Sequence, residues 1–216
     1  MPSWAVLPPN APTNSTTILH SDFTSYSPDL VSTLKQHDAC IWTLGVSASG
    51  RDEAEFIKIT NEFPMALASA LKAGEVGEGR EAGKPFRFVW FSGASADETE
   101  KSMAMSPRIK GKTENDITKL CEETPGMQAY ILRPGGFHPS TKYPEDTKHQ
   151  RGKLESVAGN VLWPVLRLTA PSLLISAEQV SAAALAVAKG MYAEQKLFNN
   201  KQLLEIANRL GVTVKA

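Results

Sequence analysis

The chain has 216 residues, 42% of them apolar, with 23 basic and 23 acidic side chains and a formal net charge of +0. That length and apolar content suffice for one sizeable core, and the balanced charge gives no overall field to draw nucleic acid or an acidic membrane surface. Two cysteines, Cys40 and Cys121, lack CxxC spacing, and His20, His37, His138 and His149 are scattered, which argues for buried thiols in a reducing compartment and against a metal site.

In chain order, Met1–Ser15 is proline-rich and irregular, and Thr17–His20 reads as a short strand followed by Asp22-Phe23. Ser27-Pro28 is a helix start signal for Asp29–Lys35, with Leu30, Val31 and Leu34 on one face. Cys40–Gly45 is a continuous apolar run, the pattern of a strand buried on both faces. Ala54, Ile57, Leu67 and Leu71 keep helical periodicity through Arg51–Lys72, although Pro64 must kink or divide that helix. Gly74–Lys84 reads as a solvated loop and Phe86–Ser92 as a strand. Met105, Ile109, Ile117 and Leu120 form a helical stripe before a strand at Ala129–Pro134. Val157–Ile175 is the most apolar window, but Asn160, Pro164, Arg167 and Pro171 are costly at bilayer depth, so a helix beside the cleft, interrupted at Pro164, is expected instead. Gln179–Met191 and Lys201–Leu210 supply two C-terminal helices.

Strands alternating with helices predict an α/β fold over residues 1–216, a single domain with a Rossmann-like parallel sheet flanked by helices. Ligands of such a sheet lie beyond the carboxyl ends of the strands, here Thr43–Gly50, Ser92–Asp97 and Arg133–His138. Gly45 and the Ser47–Gly50 run allow close backbone approach to a flat or ribose-bearing ligand. Ser92 and Ser95 offer hydroxyls, and Pro134-Gly135-Gly136 forms a tight turn with backbone donors. Glycine and serine after a strand are also ordinary turn composition.

The phosphate-binding first turn of a dinucleotide fold is a glycine-rich loop running into a helix N-terminus. Met1–Ser15 cannot supply a strand, that turn and a helix, so the cofactor half-site is expected to be missing and the chain to be N-terminally incomplete.

Asp22-Phe23, His37-Asp38-Ala39 before Thr43-Leu44-Gly45, Phe88–Asp97, Arg108-Ile109-Lys110-Gly111 and Ile131–Gly135 occur in that order over Ile18 to Phe137. In these the chain resembles the atypical short-chain dehydrogenase/reductases, with relatives among Tat-interacting-protein-like oxidoreductases and nucleoside-diphosphate-sugar epimerases. The resemblance makes Thr17–His20 the third strand. It implies NAD or NADP, with NADP slightly preferred. It places Asp22 and Phe23 at the adenine end, Gly45 near the adjoining ribose, Lys110 at the nicotinamide ribose, and Pro134 with Gly135 beside the nicotinamide.

Reductases of that family use a Ser together with Tyr-x-x-x-Lys on one helix, the ammonium lowering the phenol's pKa. Register on Lys110 places Ser106 at the tyrosine position, where an aliphatic hydroxyl is a poor acid or base. Ser106 is expected to cap the helix, with Pro107 as its first residue. The family's Ser-Ser becomes Ser92-Gly93, leaving Ser92 and Lys110 as candidate catalytic residues. Ser92 has local backbone bonding as its ordinary alternative, and Lys110 a solvated basic first turn.

The resulting reading is an NAD(P)-binding, oxidoreductase-like protein with impaired catalysis and cofactor binding that is weak or lost. Its alternative is a non-catalytic nucleotide-binding or protein-interaction module; a sugar-nucleotide-modifying enzyme ranks third. The small-molecule substrate is open, as is oligomerisation. No metal, nucleic-acid partner or transmembrane segment is expected. The N-terminus has neither a signal-peptide apolar core nor an Arg-rich presequence, which predicts a cytoplasmic protein.

Overall fold

Residues 11–138 and 169–213 are described by the computed structural model. The first regular element is helix α1 (Pro28–Leu34), opened as its sequence signals: Pro28 occupies the first turn and the Ser27 hydroxyl accepts from Leu30 N at 3.3 Å. It leads into β1 (Ala39–Trp42). Helix α2 (Glu53–Ile57) then passes through a π-helical turn (Lys58–Glu62) into α3 (Phe63–Ala73). Pro64 explains that turn. It has no N–H for the i−4 carbonyl and its ring needs room there, so the helix widens rather than breaks.

β2 (Phe86–Phe91), α4 (Met105–Glu122) and β3 (Met127–Arg133) follow. The sheet is parallel throughout, in the order β1-β2-β3-β6, where β6 is Leu197–Asn199. Its register pairs Cys40 with Phe88 and Phe88 with Ala129. Side chains therefore alternate between two apolar layers. Trp42, Phe86, Phe88 and Trp90 pack with Leu67, Leu71, Ile117 and Cys121 on the α3/α4 side. Val89, Tyr130 and Leu132 pack with α5 (Ala177–Ala188) and α6 (Asn200–Arg209) on the other. Both C-terminal helices start in capping boxes, Ser176 with Gln179 and Asn199 with Gln202. The parallel α/β architecture is thus as the sequence predicts, and none of the described helices is long and apolar enough to cross a membrane.

Several local expectations are corrected. Thr17–His20 forms no strand: Thr17, Ile18 and Leu19 are exposed, and His20 stacks on Tyr26 with ring centroids 4.8 Å apart. A four-residue segment with no buried face gains nothing from a ladder position. β1 is not buried on both faces. Among the described residues it pairs only with β2, and Ile41 is 38% exposed. The 74–84 segment is more than a solvated loop, because Val76 is buried and Arg80 donates from Nε to Val76 O (2.7 Å) and from Nη2 to Lys35 O (2.8 Å) and His37 O (2.6 Å). Of the apolar window, residues 157–168, including the expected interruption at Pro164, lie outside the described residues. Its end forms a short 3-10 turn (Pro171–Leu173) and β5 (Leu174–Ser176), which pairs in parallel with β4 (Gly136–His138) as a separate two-stranded sheet. Cys40 and Cys121 are free, and burial pushes both thiols up to about 12.

Candidate functional site

The carboxyl ends of β2 and β3 are stitched together past the last ladder pair. Ser92 N donates to Leu132 O (2.8 Å) and Ala94 N to Pro134 O (2.9 Å). The loop that follows is shaped by Asp97, whose carboxylate accepts from Thr99 N (3.0 Å), Thr99 Oγ1 (2.6 Å), Lys101 N (3.1 Å) and Ser102 N (2.7 Å). These bonds, led by the Thr99 hydroxyl, hold the Asp97 carboxyl below its ordinary range. Helix α4 then crosses so close that a Cβ on Gly111 would stand 1.7 Å from Asp97 O. Only glycine permits that approach, so the Lys110-Gly111 pair has a packing cause for its second member.

Helical spacing brings Lys110 and Glu114 to one face of α4, toward these strand ends. Glu114 is 4% exposed. Its Oε1 accepts a short hydrogen bond from the Ser92 hydroxyl, and Arg133, the last residue of β3, donates from Nε to Oε1 (2.9 Å) and Oε2 (3.1 Å) and from Nη2 to Oε2. Arg133 Nη2 also reaches Glu98 Oε2 at 3.3 Å. The Glu114 hydrogen bonds, ahead of every other cause, raise the guanidinium's proton affinity. Lys110 Nζ donates to Ser92 O (3.2 Å), and a Cβ on Gly93 would lie 3.0 Å from that nitrogen. Burial lowers the Lys110 pKa from its ordinary 10.5, while the Glu114 charge opposes the shift.

The structure therefore brings Ser92 and Lys110 together and adds Glu114 and Arg133, which the sequence reading did not single out for chemistry. The signal for Glu114 was a Lys-x-x-x-Glu spacing that many solvated helices share. Three expectations about this region are corrected. Ser92 bonds the Glu114 side chain rather than local backbone, because its hydroxyl faces into α4. Lys110 is half-buried and not a solvated first-turn lysine. Ser106 is not the cap: Ala104 occupies that position, and Ser106 and Pro107 are the second and third helical residues.

The remaining predicted contacts are dispersed. Asp22 is exposed and turns back on Thr24 N (3.0 Å) and Thr24 Oγ1 (2.5 Å), which lowers its pKa, the hydroxyl bond contributing most. Phe23 packs edge-on to Trp42 (6.1 Å) and beside Phe63 (5.7 Å), at the end of β1. A Cβ on Gly45 would meet nothing within 4 Å, so the backbone there is open to approach. The Pro134-Gly135 turn does not present a spare donor at Gly135, whose N–H is taken by Asn200 Oδ1 at 2.7 Å; a Cβ there would stand 2.1 Å from Leu173 O. A separate groove of about 340 Å³, lined by Tyr26, Val31, Lys35 and Ala70 among others, opens between α1 and α3. Among the described residues no histidine, cysteine or carboxylate cluster could hold a metal ion.

No protein-family description matches the chain, and no curated protein matches it by sequence. Solved structures do. The chain is similar to 3-oxoacyl-[acyl-carrier protein] reductase from Brucella melitensis, whose structure holds NAD, at 14% identity and a TM-score of 0.54, covering 87% of this chain and 77% of that one. It is also similar to UDP-N-acetylglucosamine 4-epimerase from Bacillus cereus, at 15% identity and a TM-score of 0.51, covering 89% and 71%. Four parallel strands with helices on both faces, together with these likenesses, identify the architecture as a Rossmann-like α/β fold.

Proposed function

We propose that the chain is a nicotinamide-dinucleotide-binding, oxidoreductase-like protein whose proton-transfer chemistry is impaired. The observation that carries this reading is the meeting of Ser92 and Lys110 at the carboxyl ends of β2 and β3, the place where an open parallel sheet takes its ligands. NAD in the Brucella reductase gives the ligand class. The residues fit one part of such a cofactor. Lys110 has ammonium donors beyond the one spent on Ser92 O, and the open backbone at Gly45 leaves room for a ribose. The pyrophosphate fits less well, because the helix after β1 opens with Asp52, Glu53 and Glu55, acidic groups that oppose an anion at its N-terminus. Binding is therefore weak. When bound, the dinucleotide would supply hydride chemistry.

Impairment follows from where the protons are. The single Ser92 proton goes to Glu114, leaving no hydroxyl donor for a substrate carbonyl, and Ser106 stands four residues before Lys110 in place of a phenol. The same facts favour the second reading, a nucleotide-binding module without turnover.

Calorimetric titration with NAD and NADP, beside a broad carbonyl-substrate screen, tests both readings. Weak binding, weakened further in Lys110→Ala and without turnover, is expected. It also decides the cofactor choice, where NADP is slightly preferred. Equal binding by wild type and Lys110→Ala rejects the lysine's role, and tight binding by both places the site elsewhere.

A further inference from the structure

We propose that Glu114 is a positioning residue of this crevice: its carboxylate, fixed by Ser92 and Arg133 one helical turn from Lys110, keeps that lysine a cation available to a ligand. The inference rests on the dinucleotide reading for the identity of the ligand, but the charge relationship does not depend on it.

Four ionisable side chains meet where α4 crosses the strand ends: Lys110 and Glu114 from α4, Arg133 from β3 and Glu98 from the loop between β2 and α4. The carboxyl end of β2 brings no charge here, only the Ser92 carbonyl, which accepts from Lys110, and the Ser92 hydroxyl, which donates to Glu114. Arg133 touches both carboxylates, so two negative charges face one guanidinium. Lys110 is the cation that completes the balance. Burial of its amine works against charge, and the Glu114 field is what opposes it. Glu98 is 65% exposed at its side chain and correspondingly screened, so Glu114 carries most of the effect. The Ser92 hydroxyl and the Arg133 fork fix the Glu114 carboxylate in one orientation, which is why the effect is directional and not a diffuse surface charge.

The test is the titration of Lys110 itself in the full chain, followed by the ε-carbon resonance of labelled lysine and assigned by its loss in Lys110→Arg. In Glu114→Gln, which keeps shape and an acceptor for Ser92, Lys110 should release its proton about one pH unit lower than in wild type, a roughly tenfold loss of proton affinity. Glu98→Gln should shift it less, and Ser92→Ala, which leaves the charges in place, should leave it nearly unmoved. Lys110-dependent NAD binding should then fade at correspondingly lower pH in Glu114→Gln. An unshifted Lys110 in Glu114→Gln overturns the proposal, and so does an equal shift in Ser92→Ala, which would make network integrity the cause. Should Glu114→Gln not fold, Glu114→Asp takes its place: drawing the charge back by one methylene must still lower the titration, and an unchanged value overturns the proposal. Absence of NAD binding in wild type would sink the dinucleotide reading while the resonance still decides the role of Glu114.

Discussion

Arg133 Nε stands 2.9 Å from Oε1 and 3.1 Å from Oε2 of Glu114, joining the last residue of β3 to the middle of α4 across the side chain of Ser92. Both partners are largely withdrawn from water, at 17% and 5% side-chain exposure. Removing one of a buried pair leaves the other uncompensated, whereas removing both does not. Glu114→Ala should lower stability by roughly 3 kcal/mol in urea unfolding. The double variant Glu114→Leu with Arg133→Met should lose clearly less than the sum of its single changes. Additive losses would mean that the two residues do not act as a pair.

Close approach of α4 to the loop at Asp97 gives a second prediction. An alanine methyl at Gly111 would fall 1.7 Å from a backbone oxygen, which cannot move aside as a flexible side chain could. Gly111→Ala should cost roughly 2 kcal/mol, typical of overpacking, seen as a lower thermal midpoint. Gly45→Ala, with nothing within 4 Å, is the control and should be neutral or slightly stabilising. A neutral Gly111→Ala would mean that α4 can slide away from the loop at no cost.

The lowered pKa of Lys110 has a definite sign in stability. A lysine whose folded pKa lies below its unfolded value binds fewer protons when folded, so its contribution becomes more favourable as pH rises from the folded pKa toward 10.5. Wild type should therefore gain stability relative to Lys110→Met across that alkaline interval. Chemical denaturation at a series of pH values measures the difference. A wild type that loses ground to the variant there has a lysine stabilised as the cation, contrary to the effect of its burial.

Asp97 titrates the other way. Its folded pKa is depressed, chiefly by the Thr99 hydroxyl, so its contribution is present above the ordinary 3.8 and is lost as pH falls through the lower folded value. Asp97→Asn should flatten the acid limb of stability below about pH 4 relative to wild type. An acid limb of unchanged slope would show that the loop holds together without that charge.

The outer edge of β1 makes a last prediction. Ile41 is 38% exposed beside backbone that no described strand pairs with, an arrangement that invites edge-to-edge association. Ile41→Lys should reduce self-association in size-exclusion chromatography with light scattering and leave the circular dichroism spectrum unchanged. Equal self-association by both proteins would move the contact surface elsewhere.

What the sequence determined is what local periodicity and short-range chemistry can encode. Phe86–Phe91 and Met127–Arg133 are dense apolar runs, and the sheet supplied no competing conformation for them. Ser27-Pro28 starts a helix because the cap and the proline act within one turn, and the π turn at Lys58–Glu62 is the local answer to Pro64. These elements in order were enough to predict a parallel sheet with a crevice at its carboxyl end and to put Ser92 there, whereas Lys110 was assigned to the site only by the family resemblance.

Tertiary structure decided the rest. Thr17–His20 has the composition of a strand, but a ladder needs a neighbour, and Ile18 and Leu19 stay exposed instead. The direction of the Ser92 hydroxyl, the burial of Lys110 and the role of Glu114 depend on how closely α4 meets the strand ends. That distance is set by the absence of a side chain at Gly111 against Asp97 O, a contact between positions fourteen residues apart. Asn200 taking the Gly135 N–H spans 65 residues. A carboxylate on a helix is written in the sequence as a carboxylate; only the packing of three elements around it excludes water and makes it the partner of Ser92 and Arg133.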